Sequence, residues 1–267
     1  MRKLAINLYA KAGLDAAAYI AAMKKAGFDA LFTDVPSRTE LAVILKALAE
    51  QNMTYEMIHA PFGHINDIWL EGERGEAMQR ELMDAIDAAA MAGGEPFVVL
   101  HLSSGKNPPP VTEVGLARYD RVVSYATQRG VRVAFENQRF RFNLDFVMQR
   151  YANMPNVGFC WDCGHEGCFT QGIAFMPDYG KRLFGTHLHD NCCLPDEDEH
   201  KIPFDGSINF SHVTQQLRDA GYRGTLTLEC FAGNSAEYAF TSCEAFLGRA
   251  AVAAKRLRRM LDGFDWN

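Results

Sequence analysis

Residues 157–165 read Val157-Gly158-Phe159-Cys160-Trp161-Asp162-Cys163-Gly164-His165. An apolar run of strand length stops on a carboxylate, and a histidine follows three residues later. Period-two geometry puts Asp162 on the same face as Gly158 and Cys160, small neighbours that suit a barrel interior narrowing towards a site. The pattern recurs along the chain. Short apolar runs occupy Leu4–Leu8, Ala30–Thr33, Thr54–Ile58, Phe97–Leu100, Val131–Phe135, Leu183–Leu188 and Thr225–Leu228, which with Val157–Trp161 makes eight. Amphipathic stretches separate them at Asp15–Ala26, Glu40–Glu50, Ala77–Met91, Val114–Arg129, Ser211–Ala220 and Glu237–Leu261. Gly27, Gly93, Gly130 and Gly221 close four of these, as helix C-capping chemistry requires.

Strands alternating with helices make a parallel sheet, and eight such units closing on themselves make a (β/α)8 TIM barrel, an α/β fold. An open doubly wound sheet is disfavoured because no strand leads into a Gly-x-Gly-x-x-Gly loop. The 267 residues contain no low-complexity segment or long linker, so residues 1–267 are expected to form one domain. Pro108-Pro109-Pro110 is a stiff local loop. With 48% hydrophobic and 22% charged residues the composition is that of a globular protein. Lys+Arg of 27 against Asp+Glu of 33 gives a net charge of −6, which disfavours a nucleic-acid coat. No apolar run is long enough to span a membrane, and the first residues carry no long apolar stretch or early cleavage signal, so secretion is not expected. Seven cysteines, an odd number, fit free thiols in a reducing compartment, so a cytoplasmic location is expected.

The chemistry of a TIM barrel collects at the C-terminal ends of its strands. Strands 3 to 8 end at His59, His101, Glu136, Asp162, His187 and Glu229. Six of the eight histidines fall at or just beyond a strand end; only His64 and His212 lie further off. Singly, each such residue has a structural explanation. Together they place several carboxylates and imidazoles in one crevice, where each uncompensated buried carboxylate costs on the order of several kcal/mol. A divalent cation is the simplest compensation. Glu136, Asp162, His187 and Glu229 supply three oxygens and a nitrogen, a set suited to Mn, Mg, Co or Zn. Adding His59, His101, His165, Asp198 and His200 gives a nitrogen-richer cluster that favours Zn and more than one ion. The competing motif, Cys160-x-x-Cys163 with His165 and Cys168, lies partly inside an apparent strand and has no second Cys-x-x-Cys.

Glu136-Asn137, Asp162-x-x-His165, His187-Leu188-His189-Asp190-Asn191, Asp198-x-His200 and Glu229, in this order, resemble the xylose isomerase-like TIM-barrel superfamily of sugar (phosphate) isomerases, epimerases and endonuclease IV. The resemblance covers roughly residues 53–230. In the isomerase branch it implies one divalent metal on Glu136, Asp162, His187 and Glu229, with His165 touching substrate oxygens. In the endonuclease branch the same positions with His59, His101, His165, Asp198 and His200 imply three zinc ions. The surroundings favour the sugar branch: Gln138-Arg139-Phe140-Arg141-Phe142 replaces a small turn, and Pro203-Phe204-Asp205-Gly206 replaces a Gly-x-Gly. Against a ketose 3-epimerase in particular, Cys192, Cys193 and Leu194 stand where several of those enzymes carry an arginine.

The expected function is therefore a metal-dependent sugar or sugar phosphate isomerase or epimerase. It would transfer a proton next to a carbonyl through an enediolate, with Glu136 and Glu229 as the acid–base pair. His59, His101, His165, Trp69 and Arg139 are the expected substrate contacts. Trp69, in the loop Pro61–Leu70, either stacks on a sugar ring or packs on a neighbouring helix. Arg139, in the one basic–aromatic stretch Arg139-Phe140-Arg141-Phe142, meets a substrate phosphate or carboxylate, starts a solvated helix, or stacks and pairs with a nucleic acid. The partner is a small sugar; nucleic acid and membrane are disfavoured, and a homo-oligomer is open. The alternatives are a zinc-dependent endonuclease IV-like phosphodiesterase and a catalytically silent sugar-binding barrel.

Overall fold

In the computed structural model, which describes residues 1–263, eight parallel strands run around a barrel. They are β1 (Leu4–Asn7), β2 (Ala30–Asp34), β3 (Thr54–His59), β4 (Phe97–Leu100), β5 (Val133–Glu136), β6 (Val157–Asp162), β7 (Leu183–His187) and β8 (Leu226–Leu228). The order is β7-β6-β5-β4-β3-β2-β1-β8. The seam between β7 and β8 closes just past their ends, where Leu188 pairs with Leu228 and the Leu188 N–H donates to the Thr227 carbonyl at 2.9 Å. The single-domain barrel read from the alternation is therefore present, although residues 264–267 of the expected domain lie outside the described residues.

The helices are α1 (Ala16–Ala26), α2 (Arg38–Gln51), α3 (Glu73–Ala92), α4 (Glu113–Arg129), α5 (Arg141–Arg150), α6 (Cys163–Cys168), α7 (Met176–Tyr179), α8 (Phe210–Asp219) and α9 (Cys243–Asp262). Several starts follow side-chain capping: Asp15 accepts from the Ala18 N–H, Ser37 from Glu40 and Thr112 from Gly115. The sequence places the start of the last helix at Glu237, but α9 begins at Cys243, where Ser242 caps the Ala245 N–H. Glu237 belongs to a separate 3-10 turn, held because the buried Tyr238 hydroxyl donates to Asp205 and accepts from the Ile202 N–H. The sequence offers no more than a helix start in the Arg139-Phe140-Arg141-Phe142 stretch; α5 continues to Arg150, with the exposed Phe142 and Phe146 blurring its amphipathic pattern.

Inside the barrel Phe32, Met57, Phe97, Val99, Ala134 and Cys160 pack against one another and Phe184. Two glycines make room for the rings. A Cβ at Gly158 would lie 2.5 Å from the Phe184 ring, and one at Gly185 would lie 2.4 Å from Phe97. These side chains fill the interior below the site, and the cavity lies at the C-terminal ends of the strands.

Candidate metal centre

Parallel strands in register deliver their last residues to one rim. Asp34 pairs with His59, Glu136 with Cys160 and Asp162 with His187. His101 follows β4 and Glu229 follows β8 directly. One ligand atom from each of Glu136, Asp162, His187 and Glu229 lies within 4.8 Å of the others, and all four residues are buried. Glu136 is the hub: its Oε1 lies 2.9 Å from His187 Nδ1, and its Oε2 lies 2.7 Å from His101 Nε2 and 3.4 Å from His59 Nε2. Glu229 Oε2 approaches the same His187 nitrogen at 3.5 Å.

A second group lies beside the first. His165, His189, Asp198 and His200 also bring one ligand atom each to within 4.8 Å. Asp198 Oδ2 sits 3.1 Å from His200 Nε2 and 3.4 Å from His165 Nε2. His189 links the groups, with Nε2 3.1 Å from Asp162 and its ring stacked on His200 at 4.0 Å. His189 is the functional candidate to which sequence reasoning gave no role. Its spacing of two from His187 carries the signal, because the chain stays extended past β7.

The loop after β7 owes its shape to Asp190. This buried carboxylate accepts four backbone N–H groups, from Asn191, Phe204, Gly206 and Ile208, each at 2.9 Å. The loop so held turns Asp198 and His200 inward, while Asp196 binds Lys106 and Arg139, and Glu199 binds Lys201. The acidic row Asp196–Glu199 therefore divides between the site and surface ion pairs.

The donor chemistry fits a divalent cation. His59, His165 and His200 are placed to donate Nδ1–H to the backbone carbonyls of Ala60, Asn137 and Glu229, at 2.9, 2.9 and 3.1 Å. That tautomer leaves each Nε2 lone pair facing the crevice, the usual arrangement around metal-binding imidazoles. His101 Nδ1, His189 Nδ1 and Asp198 Oδ1 are buried with no hydrogen-bond partner. Burial alone would push the Glu136 and Asp162 carboxyls up. The imidazoles of His187 and His101 outweigh it at Glu136, and those of His165 and His189 at Asp162, holding both below the usual carboxylate range. Burial opposes charge on His187 and His200, yet the neighbouring carboxylates lift both to about 9. A cation would replace these protons.

Above the cluster opens a cavity of about 330 Å³, walled by Asp34, Phe62, Gln138, Arg139, Phe169 and Phe231 as well as the histidines. His59, His101 and His165 line it. Trp69 does not. Its indole is 1% exposed, its Nε1–H donates to the Leu102 carbonyl at 2.7 Å, and a Cβ at Gly115 would lie 2.1 Å from its ring. The close approach of α4 makes Trp69 part of the core, so the sugar-stacking expectation is corrected. Arg139 lines the cavity but is engaged: its guanidinium lies 3.5 Å over Phe169, and its Nε–H donates to Asp196 at 3.0 Å. Arg141 turns away, to Asp145 and Asp178. All seven cysteines are free, and the Cys160, Cys163 and Cys168 thiols are buried apart from any metal-ligand group. Among the described residues no helix is long and apolar enough to cross a membrane.

Residues 20–260 match the family model described as xylose isomerase-like TIM barrel. The chain belongs to this family. Among curated proteins it is 29% identical over 194 residues to the uncharacterised protein y4fM of Sinorhizobium fredii, covering 67% of this chain and 60% of that one. It is 25% identical over 205 residues to the uncharacterised protein MJ1311 of Methanocaldococcus jannaschii, covering 69% and 68%. The chain thus spans about 60% of the first relative's length. Solved structures of the same fold include D-psicose 3-epimerase with D-tagatose from Clostridium cellulolyticum H10, at 17% identity and TM-score 0.77, covering 97% of this chain and 99% of that one. An L-ribulose 3-epimerase aligns over 100% of both chains at 17% identity and TM-score 0.74. The E. coli 3-keto-D-glucoside 4-epimerase aligns at 16% identity and TM-score 0.73, covering 97% and 99%.

Proposed function

We propose that this protein is a metal-dependent sugar isomerase or epimerase of the cytoplasm. The observation that carries the reading is that Glu136 and Glu229 approach one imidazole nitrogen of His187, at 2.9 and 3.5 Å, from strands three steps apart around the barrel. Glu136, Asp162, His187 and Glu229 would hold the cation, which when bound polarises the substrate's adjacent carbonyl and hydroxyl oxygens and stabilises developing negative charge. One glutamate then takes the proton from the carbon beside the carbonyl, giving an enediolate. The other returns a proton, to the opposite face in an epimerisation. His165, His59 and His101 would orient substrate oxygens, and Phe62, Phe169 and Phe231 would limit water above the reacting carbon. The sugars named for the fold's solved relatives agree with a substrate of this size.

The second ligand group favours one other reading, a zinc-dependent phosphodiesterase using His59, His101, His165, Asp198 and His200 as further ligands. The cavity wall sets Asp34, Glu136, Asp198 and Glu229 against Arg139, whose Nε–H already goes to Asp196, and this acidic balance favours the uncharged sugar. The test is a panel of ketoses and aldoses given to protein loaded in turn with Mn, Mg, Co or Zn, with products resolved by chromatography. Interconversion that a chelator abolishes and the cation restores is expected. Hydrolysis of phosphodiesters with three zincs per chain would replace the reading by the second, and sugar binding without turnover would make the barrel a silent binder.

A further inference from the structure

We propose that Asp34 determines which sugar this site accepts, by binding through its carboxylate a hydroxyl remote from the reacting carbons. The inference rests on the sugar reading above and deepens it. Asp34 ends β2 and pairs in register with His59, which ends β3, so it stands on the rim from which the other site residues project. It is exposed at the cavity wall.

Its neighbours on that wall are already committed. Glu136 is held by His101 and His187, Asp198 by His200 and His165, and Glu229 lies 3.5 Å from His187 and 3.6 Å from His200. The Asp34 backbone carbonyl accepts from the Thr33 hydroxyl, but among the described residues its carboxylate has neither a donor nor a cation. A carboxylate accepts hydrogen bonds, so a ligand that displaces its water there must donate, and a sugar hydroxyl does. Phe62 and Phe231 on the same cavity wall offer apolar surface for the C–H face of a ring or chain. A phosphate ester is mismatched here. Asp34 would repel it, and Arg139 on the same wall already gives its Nε–H to Asp196. The ligand class is therefore an uncharged polyhydroxylated carbonyl compound.

The test titrates metal-loaded wild type, Asp34→Asn and Asp34→Ala with a free ketose, its monodeoxy analogues and its terminal phosphate ester, following binding by calorimetry and turnover separately. Asp34→Ala is expected to weaken binding of the free ketose tenfold or more, as a lost hydrogen bond to a charged group does, with kcat within about threefold. One monodeoxy analogue should bind wild type weakly and lose nothing further in Asp34→Ala. The phosphate ester should bind wild type more weakly than the free sugar and improve in Asp34→Asn. Binding of the free ketose within twofold of wild type in Asp34→Ala, or equal losses for every analogue, would overturn the proposal. Binding that depends on Asp34 without turnover would support it while the isomerase reading failed; no sugar binding at all would overturn both.

Discussion

Replacing Trp69 by Phe separates a core role from a sugar platform. The indole N–H donates to the buried Leu102 carbonyl at 2.7 Å, and Phe cannot. A buried acceptor deprived of its donor costs about 1–3 kcal/mol. The ring is also wedged against Gly115 and lies 5.2 Å from Tyr119, so losing the pyrrole half leaves a void worth about 1 kcal/mol more. The sum is about 2–4 kcal/mol. At roughly 2–4 °C per kcal/mol for a chain near this size, Tm should fall by about 5–15 °C. Because Trp69 does not line the cavity, KM for a turned-over sugar should stay within about twofold. Thermal unfolding and steady-state kinetics on the same preparation measure both. An unchanged Tm with KM raised about tenfold would refute the packing argument and return Trp69 to the site.

Other substitutions test the remaining parts. Glu136→Gln and Asp162→Asn should each abolish cation retention or turnover while far-UV circular dichroism stays that of the folded barrel; normal metal content and rate in both would reject the four-residue ligand set. Asp198→Ala combined with His200→Ala should leave one cation bound and reduce sugar turnover only in part, whereas loss of one of several zincs together with a phosphodiesterase activity would select the hydrolase. Burial raises the Glu56 carboxyl above its ordinary value of 4.5, and the Thr225 hydroxyl and the Lys3 and Arg132 charges offset only part of this. A carboxyl raised on folding lends stability below its unfolded pKa and loses it as pH rises through the folded one. Glu56→Gln should therefore raise Tm at pH 7–8 and not at pH 4, and a pH-independent difference would contradict the buried-acid explanation.

The barrel was legible because each strand is a short apolar run and several helices carry their own caps, as at Asp15, Ser37 and Thr112. The gathering of candidate ligands was legible for a related reason: in a parallel barrel the residue at a strand's C-terminal end has one place to go, and His59, Glu136, Asp162 and His187 end their strands. Contacts made by loops were harder to read. Trp69 and Arg139 look alike in sequence as loop residues near a strand end, yet Gly115 on α4 draws one into the core and Asp196, from a loop 57 residues away, captures the other. Asp198 faces inward because Asp190 folds its loop through four N–H groups, a long-range arrangement that no local periodicity encodes. Asp34 was missed because the sequence run for β2 stops at Thr33, whereas the strand continues one residue further.

In the proposed chemistry one glutamate takes a proton from the carbon beside the carbonyl, and the other delivers a different, solvent-derived proton. The most direct measurement is solvent deuterium incorporation, followed by NMR, into each partner of an interconverted sugar pair by metal-loaded wild type and by the Glu136→Gln and Glu229→Gln variants. The account expects wild type to place deuterium at the carbon beside the carbonyl. It expects Glu229→Gln, which keeps three of the four cation ligands, to lose interconversion by about 10²–10⁴-fold while still exchanging that carbon's proton in only one partner. Interconversion with no deuterium uptake, or unchanged interconversion in both variants, would contradict it.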